Sequence, residues 1–171
     1  MPVTPFHFGP GALIKSFAPR HFSLSVFALS QGLIDLEPAY YWLRDQDPWH
    51  RFFHTYAGAA VIALISLFVG KWLCPWFLRW WNRQLSAAQA RWLEVRAEIS
   101  WVGAASGAII GAYSHVFLDS IMHADMRPLA PFADSNALHG VISIDSLYAA
   151  CFLAGVVGVL VMLVARARGR L

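Results

Sequence analysis

Three stretches of this chain are each long enough and apolar enough to cross a lipid bilayer. Residues 55–73 (TYAGAAVIALISLFVGKWL) carry one charge, Lys71, near their end. Residues 99–118 (ISWVGAASGAIIGAYSHVFL) are apolar and rich in small side chains, with His115 near the far end. Residues 146–165 (SLYAACFLAGVVGVLVMLVA) carry no charge. About 20 residues rising 1.5 Å each match a hydrocarbon core of roughly 30 Å. Two shorter apolar stretches, 5–18 and 21–36, flank Pro19-Arg20. Sixteen residues reach only roughly 24 Å as helix. They predict an N-terminal helical hairpin that crosses, or nearly crosses, the membrane, with Pro38 at the end of its second arm. The expected fold is therefore an all-α membrane bundle of about five helices: three full transmembrane helices plus the hairpin.

Composition supports this. The chain is 58% hydrophobic and 13% charged, against ~45–50% and ~25% in soluble domains. That excludes a disordered chain and argues against an ordinary soluble domain. Two cysteines, Cys74 and Cys151, form neither a disulfide framework nor a CxxC pair. No cleavable leader is read in the first residues. The lack of internal repeats predicts one domain over 1–171.

The distribution of charge carries more than the net +3. Ten of the 13 basic residues fall in the hairpin turn, the 71–98 loop and the tail. Eight of the ten acids fall on the opposite side. The positive-inside rule then places the N-terminus outside and the C-terminus in the cytoplasm, as expected in a bacterial inner membrane. Trp72, Trp76, Trp80, Trp81 and Trp92 accompany the basic side. Their mixture with arginine predicts an interfacial helix or belt rather than a nucleic-acid groove.

The outer side collects nearly all remaining polar residues. His7 starts the first helix, Asp35 and Glu37 end the second, and His50 and His54 open the third. His115, Asp119 and His123 end the fourth. Asp125, Asp134, His139 and Asp145 occupy the loop that follows. Ionisable groups in lipid are costly and need a reason. The i, i+4 spacing of His50 and His54 lets both imidazoles share one helix face. His115, Asp119 and His123 repeat that spacing over two turns. Imidazole and carboxylate are the ligand set expected for zinc, manganese or iron. Each item also has a plainer reading, as interfacial residues, a hydrogen-bonded polar cap or solvated helix ends. Gly103, Gly107 and Gly111 recur at the same step and read as a ridge that packs the fourth helix tightly against a neighbour.

In this order the motifs resemble the LexA-regulated, inner-membrane-associated metal-dependent hydrolase family. They are Thr4-Pro5-Phe6-His7, Ile34-Asp35-Leu36-Glu37, His50-Arg51-Phe52-Phe53-His54-Thr55, Ser114-His115-Val116-Phe117-Leu118-Asp119 and Pro131-Phe132-Ala133-Asp134. Ile34 and Glu37 depart from the family's Pro-Asp-x-Asp. A more distant likeness, to zinc-dependent phospholipase C and P1-type nuclease, implies phosphoester substrates by analogy.

The leading expectation is a metal-dependent hydrolase opening on the outer membrane face. His115, Asp119, His50 and Asp35 form its core metal site. His7, His54 and His123 complete that site or bind a second ion. Zinc is the first choice of metal, with manganese or iron as alternatives. Glu37 is the candidate general base. Arg51, with Arg127, is the candidate for pairing a phosphate oxygen. A site at headgroup depth favours a membrane lipid or lipid-linked substrate, with no nucleic-acid partner. A second class is a non-catalytic membrane protein using the same cluster as a structural clamp in an assembly. A metal transporter fits less well, because few polar residues lie deeper in the spans.

Overall fold

The computed structural model describes residues 5–169. Thr4 of the first motif and Arg170 of the basic tail lie outside the described residues. A 3-10 turn over Pro5–His7 leads into α1 (Phe8–Phe17). Then follow α2 (Leu24–Leu43), a second 3-10 turn (Phe52–His54), α3 (Tyr56–Gln84), α4 (Ala87–Leu93), α5 (Trp101–Met122) and α6 (Ile144–Ala167). The described residues contain no strand. α3, α5 and α6 are long and apolar enough to cross a membrane. The chain is thus an all-α membrane bundle with an N-terminal hairpin.

The helix starts are written in the sequence. Ser23, Thr55, Ser86, Ser100 and Ser143 each accept a backbone N–H of the first turn of α2 to α6, the usual N-cap chemistry. α1 is the exception: His7 stands at its N-cap but makes no side-chain capping bond. Its imidazole is free for another task.

Three boundaries differ from the sequence reading. α1 has ten residues, about 15 Å of helix, so it reaches only part way through a bilayer. α2 does not end at Pro38 but runs on to Leu43, with Pro38 buried inside it. A proline within a helix removes one i to i−4 bond and leaves the turns on either side intact. α3 likewise passes through Pro75 and ends at Gln84. Its 29 residues span about 43 Å, more than the hydrocarbon core. Trp72, Trp76, Trp80 and Trp81, expected in a loop, therefore sit exposed on its last turns, where an interfacial belt belongs.

α5 packs between α2 and α3, and α1 lies along α6. The glycine ridge explains the first contact. A Cβ on Gly107 would collide with the Ser23 carbonyl, and one on Gly111 with the Ser30 hydroxyl. Without them, α5 lies directly on α2. Its alanines Ala104, Ala108 and Ala112 are fully buried on the same side. By contrast Phe152, Leu153, Val157 and Leu160 of α6 are exposed. An apolar surface of that extent is a liability in water and the natural face toward lipid.

Candidate metal centre

The elements bring their polar ends together at one end of the bundle. Four chain segments contribute: the turn before α1, the second half of α2, the segment before α3, and the last turn of α5. Asp119 of α5 is the hub. Its Oδ2 lies 3.1 Å from His115 Nε2 and 3.5 Å from His54 Nε2. Its Oδ1 lies 3.4 Å from His7 Nε2 and 3.9 Å from His123 Nε2. Asp35 Oδ1 of α2 stands 3.4 Å from His115 Nε2. The sets His7–His115–Asp119, Asp35–His54–His115 and His50–His54–Asp119 each have ligand atoms within 4.8 Å of one another.

These polar atoms are buried yet unsatisfied. His7, His54, His115 and Asp119 are almost fully shielded from solvent. Among the described residues, the Nε2 atoms of His7, His54 and His115 and the Oδ1 of Asp119 have no hydrogen-bond partner. Such groups are costly to leave unpaired. The distances between them fit a different role. Two ligands each ~2.0–2.1 Å from a tetrahedral zinc stand about 3.4 Å apart, close to the 3.1–3.5 Å found here for four of the contacts. The donor set therefore fits a divalent cation.

The other side of three of the imidazoles is held, whereas His7 Nδ1 has no partner among the described residues. His115 Nδ1 donates to Gln31 Oε1 at 2.6 Å, and Gln31 Nε2 in turn donates to the Gly111 carbonyl at 3.0 Å. His54 Nδ1 donates to Glu37 Oε2 at 3.2 Å. His50 Nδ1 donates to Asp125, 2.8 Å to the nearer oxygen. Carbonyl and carboxylate partners on Nδ1 fix the tautomer and leave the Nε2 lone pair for a metal.

Local folding explains how His50 and His54 arrive. They do not share a helix face, as the i, i+4 spacing implied. His50 lies in an irregular segment, and His54 closes a 3-10 turn before α3. Gly58 lacks the Cβ that would strike the Phe52 carbonyl, so that turn folds down on the first turn of α3. The two rings still come within 4.8 Å, centroid to centroid.

The charges bear this out. Burial strips water from His7 and pushes its imidazole down to about 4, so it is a neutral ligand at any ordinary pH. Burial also disfavours charge on His54, but its contacts with Asp119 and Glu37 outweigh that and hold it above its ordinary value. The same carboxylate field attracts a metal ion. Burial would raise Asp125, yet its bonds to His50 and the charge there pull the carboxyl down to about 2.

The structure gathers His7, Asp35, His50, His54, His115, Asp119 and His123. It places Glu37 and Arg51 differently from the sequence reading. Both oxygens of Glu37 are taken up by the backbone N–H groups of Arg51 and Phe53 and by His54. Glu37 is a positioning residue, not a free base. The Arg51 guanidinium donates to the Pro48 and Asp47 carbonyls and stacks over Tyr41, 3.6 Å from the ring centre. It braces the loop and does not face the cluster. Asp134 pairs with Arg127 on the surface. Gln31 was missed, and Asp125, named among the outer-side polar residues, turns out to hold His50. Gln31 lies four residues before Asp35, on the same helical face. Asp125 lies two residues after His123.

Next to the centre is an open polar cavity of about 620 Å³. Asp125 lines it, with Arg127, Asn136 and His139. Asn136 also donates to the Ser120 carbonyl at 2.9 Å and so caps the end of α5 that carries His123. The ligand cluster therefore adjoins an opening to solvent through the residue that holds His50.

No curated protein and no solved structure matches the chain. The family profile described as "Domain of unknown function (DUF4184)" matches residues 1–170. With almost its whole length covered, the chain belongs to the DUF4184 family.

Proposed function

We propose that this protein is a membrane-embedded metal-dependent hydrolase. Its substrate is a phosphoester or lipid-linked ester reached at the outer face of a bacterial inner membrane. One observation carries the reading: three imidazole nitrogens and a carboxylate oxygen are buried, face one another and lack hydrogen-bond partners among the described residues. A divalent cation, zinc first by ligand type, supplies Lewis acidity there and acidifies a water molecule. Asp35, His54 and His115 would hold the ion, with Asp119 beside both imidazoles. Gln31, Glu37 and Asp125 orient the imidazoles. The cavity lined by Asp125 lies one hydrogen bond from His50 and offers an approach to the cluster, with none of the seven ligand side chains in its wall. The concentration of basic residues at the other end of the bundle supports the outward orientation. The resemblance of the ordered motifs to inner-membrane hydrolases agrees with this.

The test uses detergent-solubilised full-length protein. Metal content is measured together with hydrolysis of phosphodiester and phospholipid substrates, before and after chelation. Bound metal and turnover lost on chelation, restored by zinc and absent in His115→Ala, are expected. Undiminished turnover in metal-free His115→Ala would sink the reading.

A further inference from the structure

We propose that the basic end of the bundle is a docking surface for the headgroups of anionic phospholipids. It lies at the end of α3 away from the candidate metal centre and is independent of the hydrolase reading. The last turns of α3 carry Arg79 and Arg83, one turn apart and so on one face. α4 carries Arg91, and Arg168 caps the end of α6. All four are exposed.

Hydrogen bonds to the backbone lock these parts into one plate. Trp81 Nε1 at the end of α3 donates to the Leu93 carbonyl of α4 at 3.2 Å. Asn82 and Val95 exchange two bonds, of 2.7 and 3.1 Å. The Arg166 guanidinium of α6 donates to the carbonyls of Trp92 and Glu94. The segment around α4 is therefore held to both α3 and α6, and the arginines of all three share one surface.

That surface is short of partners in two ways. Glu94 and Glu98 are its two acids, and Glu98 is taken by Arg96. Among the described residues, Arg79, Arg83, Arg91 and Arg168 have no carboxylate in ion-pair contact. The second shortage is apolar. α4 has seven residues and buries none of them, and Trp92 and Leu93 stay exposed. A helix of that length does not sustain itself in water. The missing cover must be apolar toward Trp92 and Leu93 and anionic toward Arg91.

A membrane interface with anionic headgroups supplies both. Exposed Trp72, Trp76, Trp80 and Trp81 set this end at headgroup depth. A guanidinium there meets phosphate oxygens in bidentate geometry. A soluble polyanion would match the arginines but leave the tryptophans and Leu93 in water.

The experiment places full-length protein in nanodiscs of equal parts phosphatidylglycerol and phosphatidylcholine. Native mass spectrometry then counts the lipids retained on release. Several-fold enrichment of phosphatidylglycerol is expected, falling as salt screens the exposed charges. Arg83→Gln and Arg91→Gln should each reduce the enrichment about fivefold. Arg83→Lys keeps the charge and should keep most of it. Arg44→Gln removes the same charge at the opposite end and should change nothing. Equal retention of the two lipids by the unaltered protein overturns the proposal. So does an equal loss in Arg44→Gln, which would make net charge the cause. Displacement of phosphatidylglycerol by millimolar inorganic phosphate also overturns it, in favour of a site for a soluble anion.

Discussion

Gln31 of α2 accepts the Nδ1 proton of His115 of α5 at 2.6 Å, while its own amide donates to the Gly111 carbonyl one turn earlier. This single side chain ties the close α2–α5 contact to the aim of a candidate ligand. Replacing Gln31 with leucine removes the acceptor. Metal affinity is expected to fall about 10–100-fold, read by titration against a competing chelator. Gln31→Glu keeps an acceptor and should lose less. Equal affinity in Gln31→Leu and the unaltered protein would show that His115 does not bind metal through Nε2.

Glu37 and Arg51 separate positioning from chemistry. Glu37→Ala frees His54 and uncaps the 3-10 turn, so metal retention should drop by about tenfold or more. Arg51→Ala, whose guanidinium braces the Asp47–Pro48 carbonyls, should leave bound metal unchanged. Metal analysis of the two purified variants checks both statements.

Two glycines of the α2–α5 pair should behave oppositely. Gly107→Ala drives a methyl into the Ser23 carbonyl and is expected to cost about 1–3 kcal/mol. Gly32 has open space around its Cα, and Gly32→Ala should be neutral or stabilise by about 0.4–1 kcal/mol. Thermal unfolding in one detergent reads the contrast.

Metal uptake should depend on pH through His54. Despite burial, contacts with Asp119 and Glu37 hold its imidazole above its ordinary value in the metal-free protein, so it keeps a proton more tightly than a free imidazole. That proton must leave before the ring coordinates. Apparent affinity should therefore rise as pH rises past the ordinary imidazole value. His7, at about 4, is already neutral across that range and adds nothing to the slope. Calorimetry in buffers of different ionisation enthalpy counts the released proton. Flat affinity over the range would remove His54 from the ligand set.

The bundle was legible because lipid leaves few solutions: a 20-residue apolar run has to be a helix. The ligands were legible because polar residues near a membrane core stand out against their background. The 3.6-residue period correctly put His115 and Asp119 on one face. It misled at His50 and His54, because the same spacing also occurs across a loop and a 3-10 turn. Pro38 reads as a stop, since sequence alone does not reveal that packing carries a helix past one missing bond. The role of Glu37 was hidden for a similar reason. A carboxylate among histidines reads as chemistry until its partners, here two backbone N–H groups and one imidazole, are visible. Gln31 was overlooked because an amide is not a usual ligand, and its value lies in what it does to a neighbour.

His7 rides on α1, and α1 leans on α6 rather than on the α2–α3–α5 group that supplies most other ligands. The last span to be synthesised is therefore the one that seats the first ligand. A nascent chain halted before α6 would carry His54, His115 and Asp119 but lack the helix against which α1 mainly packs. On the proposed metal-binding reading, complete loading of the centre therefore requires α6 to be in place behind α1.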